Sequence, residues 1–198
     1  MPRSGEAVRR RLQQAALELF TEHGFDQTPV EAIASRAGVT ERTFYRHFAD
    51  KREMLFDGET ELRDLLVKAV AAVPHGMKPL PTLRAAFHET VPLFERNRPF
   101  TEPGVRLIAE TPALQERSLA KRALLVNALT DALQARGVAA RTAPLCAQVA
   151  MDTFAVATHR WMEEPSIPLH DQLDQAFREL RLATAALKQP GPDRRAIV

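Results

Sequence analysis

Apolar side chains recur at helical spacing along almost the whole chain, and no stretch alternates with the period of two that marks a β-strand. The first apolar stripe predicts a helix from about Glu6 to His23. Further helices are predicted at about residues 51–72, 80–97, 113–136, 142–164 and 168–188. Prolines and a glycine predict a break between 98 and 112, and residues 189–198 read as a loose tail. The pattern predicts an all-α protein.

Two short helices joined by a glycine turn are predicted between residues 28 and 51. Thr28 and Glu31 have the spacing of a capping box, which predicts the start of the first short helix. Gly38 permits the positive φ that ends a helix, and Thr40 then suits the N-cap of the second. The segment therefore predicts a helix-turn-helix.

The second short helix is predicted to have one apolar and one polar face. Phe44 and Phe48 are four residues apart, so both point to the same side, which we assign to the core. At about 100° per residue, Arg42 and Arg46 then point away from the core, and Thr43 nearly so. Arg can donate two hydrogen bonds to a guanine edge, and Thr can contact a base or a thymine methyl.

The flanks of this helix predict contacts to the DNA backbone. Tyr45 and His47 lie on its two sides and suit phosphate oxygens. Asp50 and Glu53 form a second capping box, which predicts a new helix beginning at Lys51. The Lys51 ammonium is then placed near the second short helix, which is the predicted recognition helix. A helical hairpin whose charges merely face solvent is the alternative.

Residues 8–56 resemble the N-terminal domain of the tetracycline-repressor (TetR) family of bacterial transcriptional regulators. The matching segments are AALELF (15–20), GF (24–25), EAIA (31–34), AGV (37–39), TFYRHF (43–48) and DK (50–51). The resemblance implies a homodimer that binds a palindromic DNA operator and releases it when a small molecule binds the C-terminal domain. Thr43, Tyr45, His47 and Lys51 match the family's usual DNA contacts by position, whereas the base contact of Arg46 is inferred from geometry.

The predicted architecture is an N-terminal three-helix helix-turn-helix domain followed by a helical ligand-binding and dimerisation domain. Its predicted boundaries are 1–50 for DNA binding, 51–188 for effector binding and dimerisation, and 189–198 for the tail. The predicted DNA-binding residues are Arg42, Thr43, Tyr45, Arg46, His47, Lys51, Thr28 and Arg9.

Charge and composition add limited support. Residues 1–52 hold nine Lys or Arg and seven Asp or Glu, so the net charge of +2 lies entirely in this part. Arg9 opens a run of three arginines at the start of the first helix, where a phosphate would offset an unfavourable interaction with the helix dipole. The chain has no run of 18 apolar residues and no signal-peptide stretch. A single Cys146 permits no intrachain disulfide, which is consistent with a cytoplasmic protein.

The last two predicted helices suggest a dimer interface. The helix at 142–164 has two apolar faces, and the final helix carries an apolar seam spaced as in a helical bundle. The predicted interface residues are Val149, Phe154, Leu173, Phe177 and Leu180. The alternative is that these faces fill the domain core, and it is the family resemblance that favours a four-helix interface between two copies.

A small-molecule site is predicted, by family analogy, among the helices between residues 51 and 136. Candidate lining residues are Phe87, His88, Phe94, Arg106, Phe154 and Trp161. The proline-interrupted segment 98–112 is expected to form a mobile wall of this site.

No enzymatic motif is found, and neither a cofactor nor a metal is predicted. His159 and Glu163 are four apart, but a lone pair of this kind is usually solvated surface. The predicted function is a ligand-responsive transcriptional repressor with no membrane association. A helical interaction protein that kept the fold but lost operator binding is the alternative.

Overall fold

The computed structural model describes residues 3–185, and this part of the chain contains nine α-helices and no β-strand. The helices are α1 (Arg3–His23), α2 (Val30–Arg36), α3 (Glu41–His47), α4 (Glu59–Ala72), α5 (Pro79–His88), α6 (Val91–Glu110), α7 (Pro112–Ala135), α8 (Ala143–Glu163) and α9 (Leu169–Ala185). A 3-10 helix, Arg52–Phe56, precedes α4. The all-α prediction is confirmed. The predicted tail lies outside the described residues.

The chain divides into two compact units. Unit 1 comprises the described residues up to 64 together with 92–125, and unit 2 comprises 65–91 together with the described residues from 126 onward. Helices α4 and α7 contribute residues to both units. The proposed functional boundary at residue 50 remains a prediction, because units defined by packing need not coincide with functional domains.

Unit 1 is built around the side chains that join α1, α2 and α3. Leu12, Phe20, Ile33 and Phe44 are at most 1% exposed and form the centre of its core. Leu114 at the start of α7 also packs into this cluster. Burial of large apolar side chains, each worth about 1.5–3 kcal/mol, stabilises three helices that are individually short or amphipathic.

Unit 2 is centred on the packing of α8 against α9 and α5. Phe87 of α5 is fully buried and stacks on Phe154 of α8, with ring centroids 4.5 Å apart and an interplanar angle of 9°. Leu173 of α9 is also fully buried, and Trp161 of α8 is 4% exposed. The apolar faces of these helices therefore fill the core of a single chain.

Three predictions about helix limits are wrong. The helix predicted at about 80–97 is interrupted at Glu89 and Thr90, which separate α5 from α6. The predicted break at 98–112 does not occur, because α6 continues through Pro99 and Pro103 and ends only at Glu110. A proline in a helix removes one hydrogen bond and introduces a ring clash, but packing can hold the helix together. The helix predicted to begin at Lys51 begins instead at Glu59, after Gly58 adopts a φ of 91°.

Candidate nucleic-acid interface

The polar face of α3 is exposed while its apolar face is buried. Phe44 is fully buried and Phe48 is 3% exposed, as their spacing predicts. Arg42 and Arg46 are exposed, and Tyr45 is 55% exposed. Within the described part of the chain, neither arginine forms an ion pair or a side-chain hydrogen bond. Both guanidinium groups are therefore available to an external acceptor.

The local sequence explains where α3 starts and how it is oriented. Gly38 adopts a φ of 67°, which reverses the chain after α2 at little steric cost. Thr40 is the N-cap, and its Oγ1 accepts a hydrogen bond of 3.2 Å from the backbone nitrogen of Thr43. Thr43 is half-buried. Its hydroxyl lies 3.1 Å from that of Thr40 and therefore already has a hydrogen-bond partner.

Thr28 is not an N-cap, and its side chain is not available to DNA. The N-cap of α2 is Pro29, with no side-chain hydrogen bond to the helix. Thr28 is 1% exposed, and its hydroxyl donates to the carbonyl oxygens of Gly24 at 2.8 Å and Leu19 at 3.2 Å. The prediction of a capping box at Thr28 is therefore wrong, and the side chain is too buried to make the predicted DNA contact. Thr28 instead holds the loop that follows α1.

Lys51 also turns inward. Its Nζ donates to the carbonyl oxygens of Phe25 at 2.7 Å and Thr28 at 3.1 Å, and it lies 4.4 Å from the centre of the Phe25 ring. Burial lowers the pKa of the ammonium group, although the nearby Asp26 partly offsets this effect. Lys51 is the N-cap residue of the 3-10 helix, but its side chain turns away from that helix and bridges the α1–α2 loop.

The second predicted capping box is half correct. Asp50 Oδ1 accepts from the backbone nitrogens of Arg52 at 2.7 Å and Glu53 at 3.2 Å, which caps the 3-10 helix. The Glu53 carboxylate does not complete the box. It accepts instead from Arg117 Nε at 2.6 Å and lies 3.2 Å from Lys121 Nζ, which holds its pKa below the usual range.

His47 and Arg9 meet at the C-terminal end of α3. Burial and the charges of Arg46 and Arg9 lower the pKa of His47, and its buried Nε2 has no hydrogen-bond partner within residues 3–185. Arg9 donates to both carboxylate oxygens of Asp57, and this hydrogen bonding raises the pKa of the guanidinium. Asp57 lies 48 positions away, so no local pattern could have indicated this contact.

A cleft of about 520 Å³ adjoins this end of α3. It is lined by Glu6, Arg9, His47, Phe48, Ala49, Glu53, Phe56, Asp57, Gly58, Glu59, Thr60, Glu61 and Lys121. Five of these residues carry carboxylates and two carry permanent cations. Three of the carboxylates, on Glu6, Glu53 and Glu61, form ion pairs with Arg10, Arg117 and Arg96.

Three of the candidate effector residues lie close together in unit 2. Phe87 and Phe154 form the stacked pair, and the neighbouring His88 places Nε2 2.6 Å from Asp174 Oδ1 and Nδ1 2.8 Å from His170 Nδ1. His170 and Asp174 share a helix face at a spacing of four, a signal that the sequence analysis did not use.

The remaining candidates are dispersed. Phe94 and Arg106 belong to unit 1, and the Arg106 side chain is 78% exposed, with its nearest carboxylate on Glu102 at 3.8 Å. A small hollow in unit 2 is lined by none of the predicted residues. It is about 130 Å³, and its walls include His75, Met77 and Arg136.

The predicted dimer-interface residues divide into two groups. Phe154, Leu173 and Phe177 are at most 8% exposed and belong to the core of unit 2, so their prediction as surface contacts is corrected. They are covered because α8 and α9 pack on each other and on α5. Val149 and Leu180 are half-buried and remain candidates.

Two family profiles match the chain. One, for bacterial regulatory proteins of the tetR family, matches residues 12–57, and the other, for the MftR C-terminal domain, matches residues 77–185. The second match alone covers more than half of the chain. The chain belongs to the TetR family of DNA-binding transcriptional regulators.

Individual relatives support this membership. TcmR of Streptomyces glaucescens, an HTH-type transcriptional regulator, is 38% identical over 80 residues, which span 40% of this chain and 35% of TcmR. MftR of Mycobacterium tuberculosis, a transcriptional regulator provisionally assigned to mycofactocin biosynthesis, is 28% identical over 193 residues. That match covers 89% of this chain and 94% of MftR. These relatives are transcriptional regulators and not enzymes.

A solved TetR-family structure has the same fold. FadR of Thermus thermophilus, a repressor determined in complex with lauroyl-CoA, aligns with a TM-score of 0.57 and 23% identity. The alignment covers 93% of this chain and 98% of FadR. No helix among residues 3–185 combines the length and apolar character needed to cross a bilayer.

Proposed function

We propose that this TetR-family regulator is a repressor that binds a palindromic operator as a homodimer. The observation that carries the proposal is the pair of exposed, unpaired arginines, Arg42 and Arg46, on a helix held rigidly by the buried Phe44. Tyr45 lies beside them on the surface. A two-fold dimer would place two such helices about 34–36 Å apart, or a multiple of this distance.

We further propose that a small-molecule effector releases the operator. An effector can do so only by binding more tightly to the conformer with poorly spaced recognition helices. Helix α4 contributes residues to both units and is the proposed connector. The Phe87–Phe154 pair and His88 are the proposed centre of the effector site. The Phe87 and Phe154 rings stack in direct contact, so they must separate to admit a ligand between them.

The decisive experiment is selection of bound fragments from random-sequence DNA. We expect enrichment of a two-fold symmetric sequence by the wild type, and a loss of about 1–3 kcal/mol of base discrimination at one position per half-site in Arg42→Ala. Adding a panel of metabolites to the complex with the selected DNA tests whether an effector releases the operator. Acyl-CoA thioesters belong in that panel, because FadR, a protein of the same fold, was solved with lauroyl-CoA.

The alternative function is a helical interaction protein that has lost operator binding. A gel shift on the DNA flanking the protein's own gene separates the two. Failure of the wild type to enrich any sequence, together with no shift on the flanking DNA, would favour the alternative.

A further inference from the structure

The guanidinium of Arg9 is held by two other segments of unit 1. Nε donates to Asp57 Oδ2 at 2.5 Å and Nη2 donates to Oδ1, so the pair is bidentate. Nη1 donates to the backbone oxygen of His47 at 3.4 Å, and the guanidinium carbon lies 4.7 Å from the centre of the Phe48 ring. Three of its five N–H donors therefore have acceptors within the protein.

This contact lies beside the proposed DNA-binding surface. His47 is the last residue of α3, so the Arg9 guanidinium sits at the C-terminal end of the proposed recognition helix. The Arg9 side chain is 38% exposed, whereas that of Asp57 is only 20% exposed. The guanidinium is therefore accessible to a phosphate from solvent, whereas the carboxylate is mostly covered.

The carboxylate reduces what Arg9 can contribute to DNA affinity. Affinity for DNA depends strongly on how many phosphates the protein neutralises, because each neutralised phosphate releases counterions. An arginine that is already neutralised by a bidentate carboxylate adds no net charge. Glu6, Glu53 and Glu59 line the same cleft, but ion pairs with Arg10, Arg117 and Lys121 offset their charges, so Asp57 is the carboxylate that acts on Arg9.

We propose that Asp57 competes with the operator phosphate for Arg9 and thereby holds operator affinity below its attainable value. While the carboxylate holds the guanidinium, Arg9 neutralises no phosphate, and removal of the carboxylate frees the guanidinium to bind one. Asp57 lies next to the start of α4, where Gly58 O accepts from Leu62 N at 2.8 Å and the helix dipole favours an anion. This inference rests on the proposed DNA binding.

The test is the salt dependence of affinity for the selected operator. We expect Asp57→Asn to bind about three- to tenfold more tightly at about 50 mM salt and to steepen the plot of log affinity against log salt by about 0.9, the value for one additional phosphate. Arg9→Gln should leave the slope near that of the wild type. In Arg9→Gln, the added Asp57→Asn change should have little effect, because the residue it releases is absent.

Asp64→Asn is the matched control. It removes one negative charge from α4, but this carboxylate is exposed and pairs with the adjacent Arg63. It should change the slope much less than Asp57→Asn. Thermal unfolding checks each variant, and Asp57→Ser replaces Asp57→Asn if the amide variant does not fold.

Weaker binding or an unchanged slope in a folded Asp57 variant would overturn the inference while leaving DNA binding intact. The same holds if the Asp57 effect persists without Arg9. If the wild type binds no operator, the proposed function fails and the inference fails with it.

Discussion

The Lys51 ammonium illustrates how far a residue's role can depart from its apparent position in a motif. It donates to three backbone carbonyl oxygens in the loop after α1, on Phe25, Asp26 and Thr28. Because a buried acceptor that loses its donor costs about 1–3 kcal/mol, we expect Lys51→Ala to lower the free energy of unfolding by about that amount. Urea denaturation measures it.

Lys68→Ala is the control for Lys51→Ala, since Lys68 is an exposed residue of α4. It should change stability by no more than about 0.5 kcal/mol. Unchanged stability of Lys51→Ala, combined with a flatter salt dependence of operator binding, would contradict the bridging role and restore the phosphate contact that the sequence predicts.

Asp174 should make unit 2 sensitive to acid. Burial alone would raise the pKa of its carboxyl, but hydrogen bonds from His88 and Arg84 outweigh burial and hold the pKa below the usual value. Because the Asp174 pKa is lower in the folded than in the unfolded state, the ionised carboxylate stabilises the fold at pH values above the unfolded pKa of about 3.9. This stabilisation is lost as the pH falls through the folded pKa. The stability advantage of the wild type over Asp174→Asn should therefore shrink between about pH 5 and pH 3.

Chemical denaturation at both pH values tests this prediction. Asp171→Asn, on the exposed side of α9, is the control, because this carboxylate has no hydrogen-bond partner within residues 3–185. A constant difference between the wild type and Asp174→Asn across the range would show that the ion pair does not stabilise the fold.

At the scale of the helix, α3 separates stability from recognition. Phe44 is fully buried, so Phe44→Ala should lower the free energy of unfolding by about 3–5 kcal/mol through cavity formation. Arg42→Ala should change it by no more than about 0.5 kcal/mol while reducing operator affinity. Thermal unfolding of both variants tests this difference in stability. An unfolded Arg42→Ala would show that the two faces are assigned wrongly.

Spacing was sufficient to predict α3 and its buried face, because Phe44 and Phe48 are local neighbours on a helix. It was also sufficient for most of α1, α7, α8 and α9. It failed where distant contacts decide the outcome. Lys51 contacts a carbonyl 26 positions away and Arg9 a carboxylate 48 positions away, and neither leaves a periodic trace.

Helix α6 shows the opposite failure, in which a local signal was overridden. Pro99 and Pro103 both lie inside the helix. Because Pro99 is exposed and cannot donate to the carbonyl of Glu95, we expect Pro99→Ala to raise the free energy of unfolding by about 1–3 kcal/mol. Pro92→Ala is the control, because Pro92 occupies the first turn, where no such bond is lost.

Urea denaturation compares these two variants with the wild type. An equal gain in both would contradict a cost specific to the helix interior, because the loss of a proline adds entropy to the unfolded chain and by itself lowers stability.

At the scale of the molecule, α8 retains an exposed apolar stripe after its core is filled. Leu145 is 64% exposed and Val156 is 45% exposed, and helical spacing places both on one side with the half-buried Val149. This stripe is the proposed surface for a second copy. We expect Val156→Glu to convert a dimer into a folded monomer at micromolar concentration, as measured by sedimentation. The corresponding change on α7, Leu119→Glu, should leave the dimer intact.

The distribution of aromatic side chains has a practical consequence. The chain has one tryptophan and one tyrosine: Trp161 is buried in unit 2, and Tyr45 is exposed on α3. Each unit therefore carries its own optical reporter without labelling. Tryptophan emission will follow rearrangement around α8, while tyrosine emission will follow occupancy of the α3 surface, so the two events can be timed against each other in one stopped-flow trace.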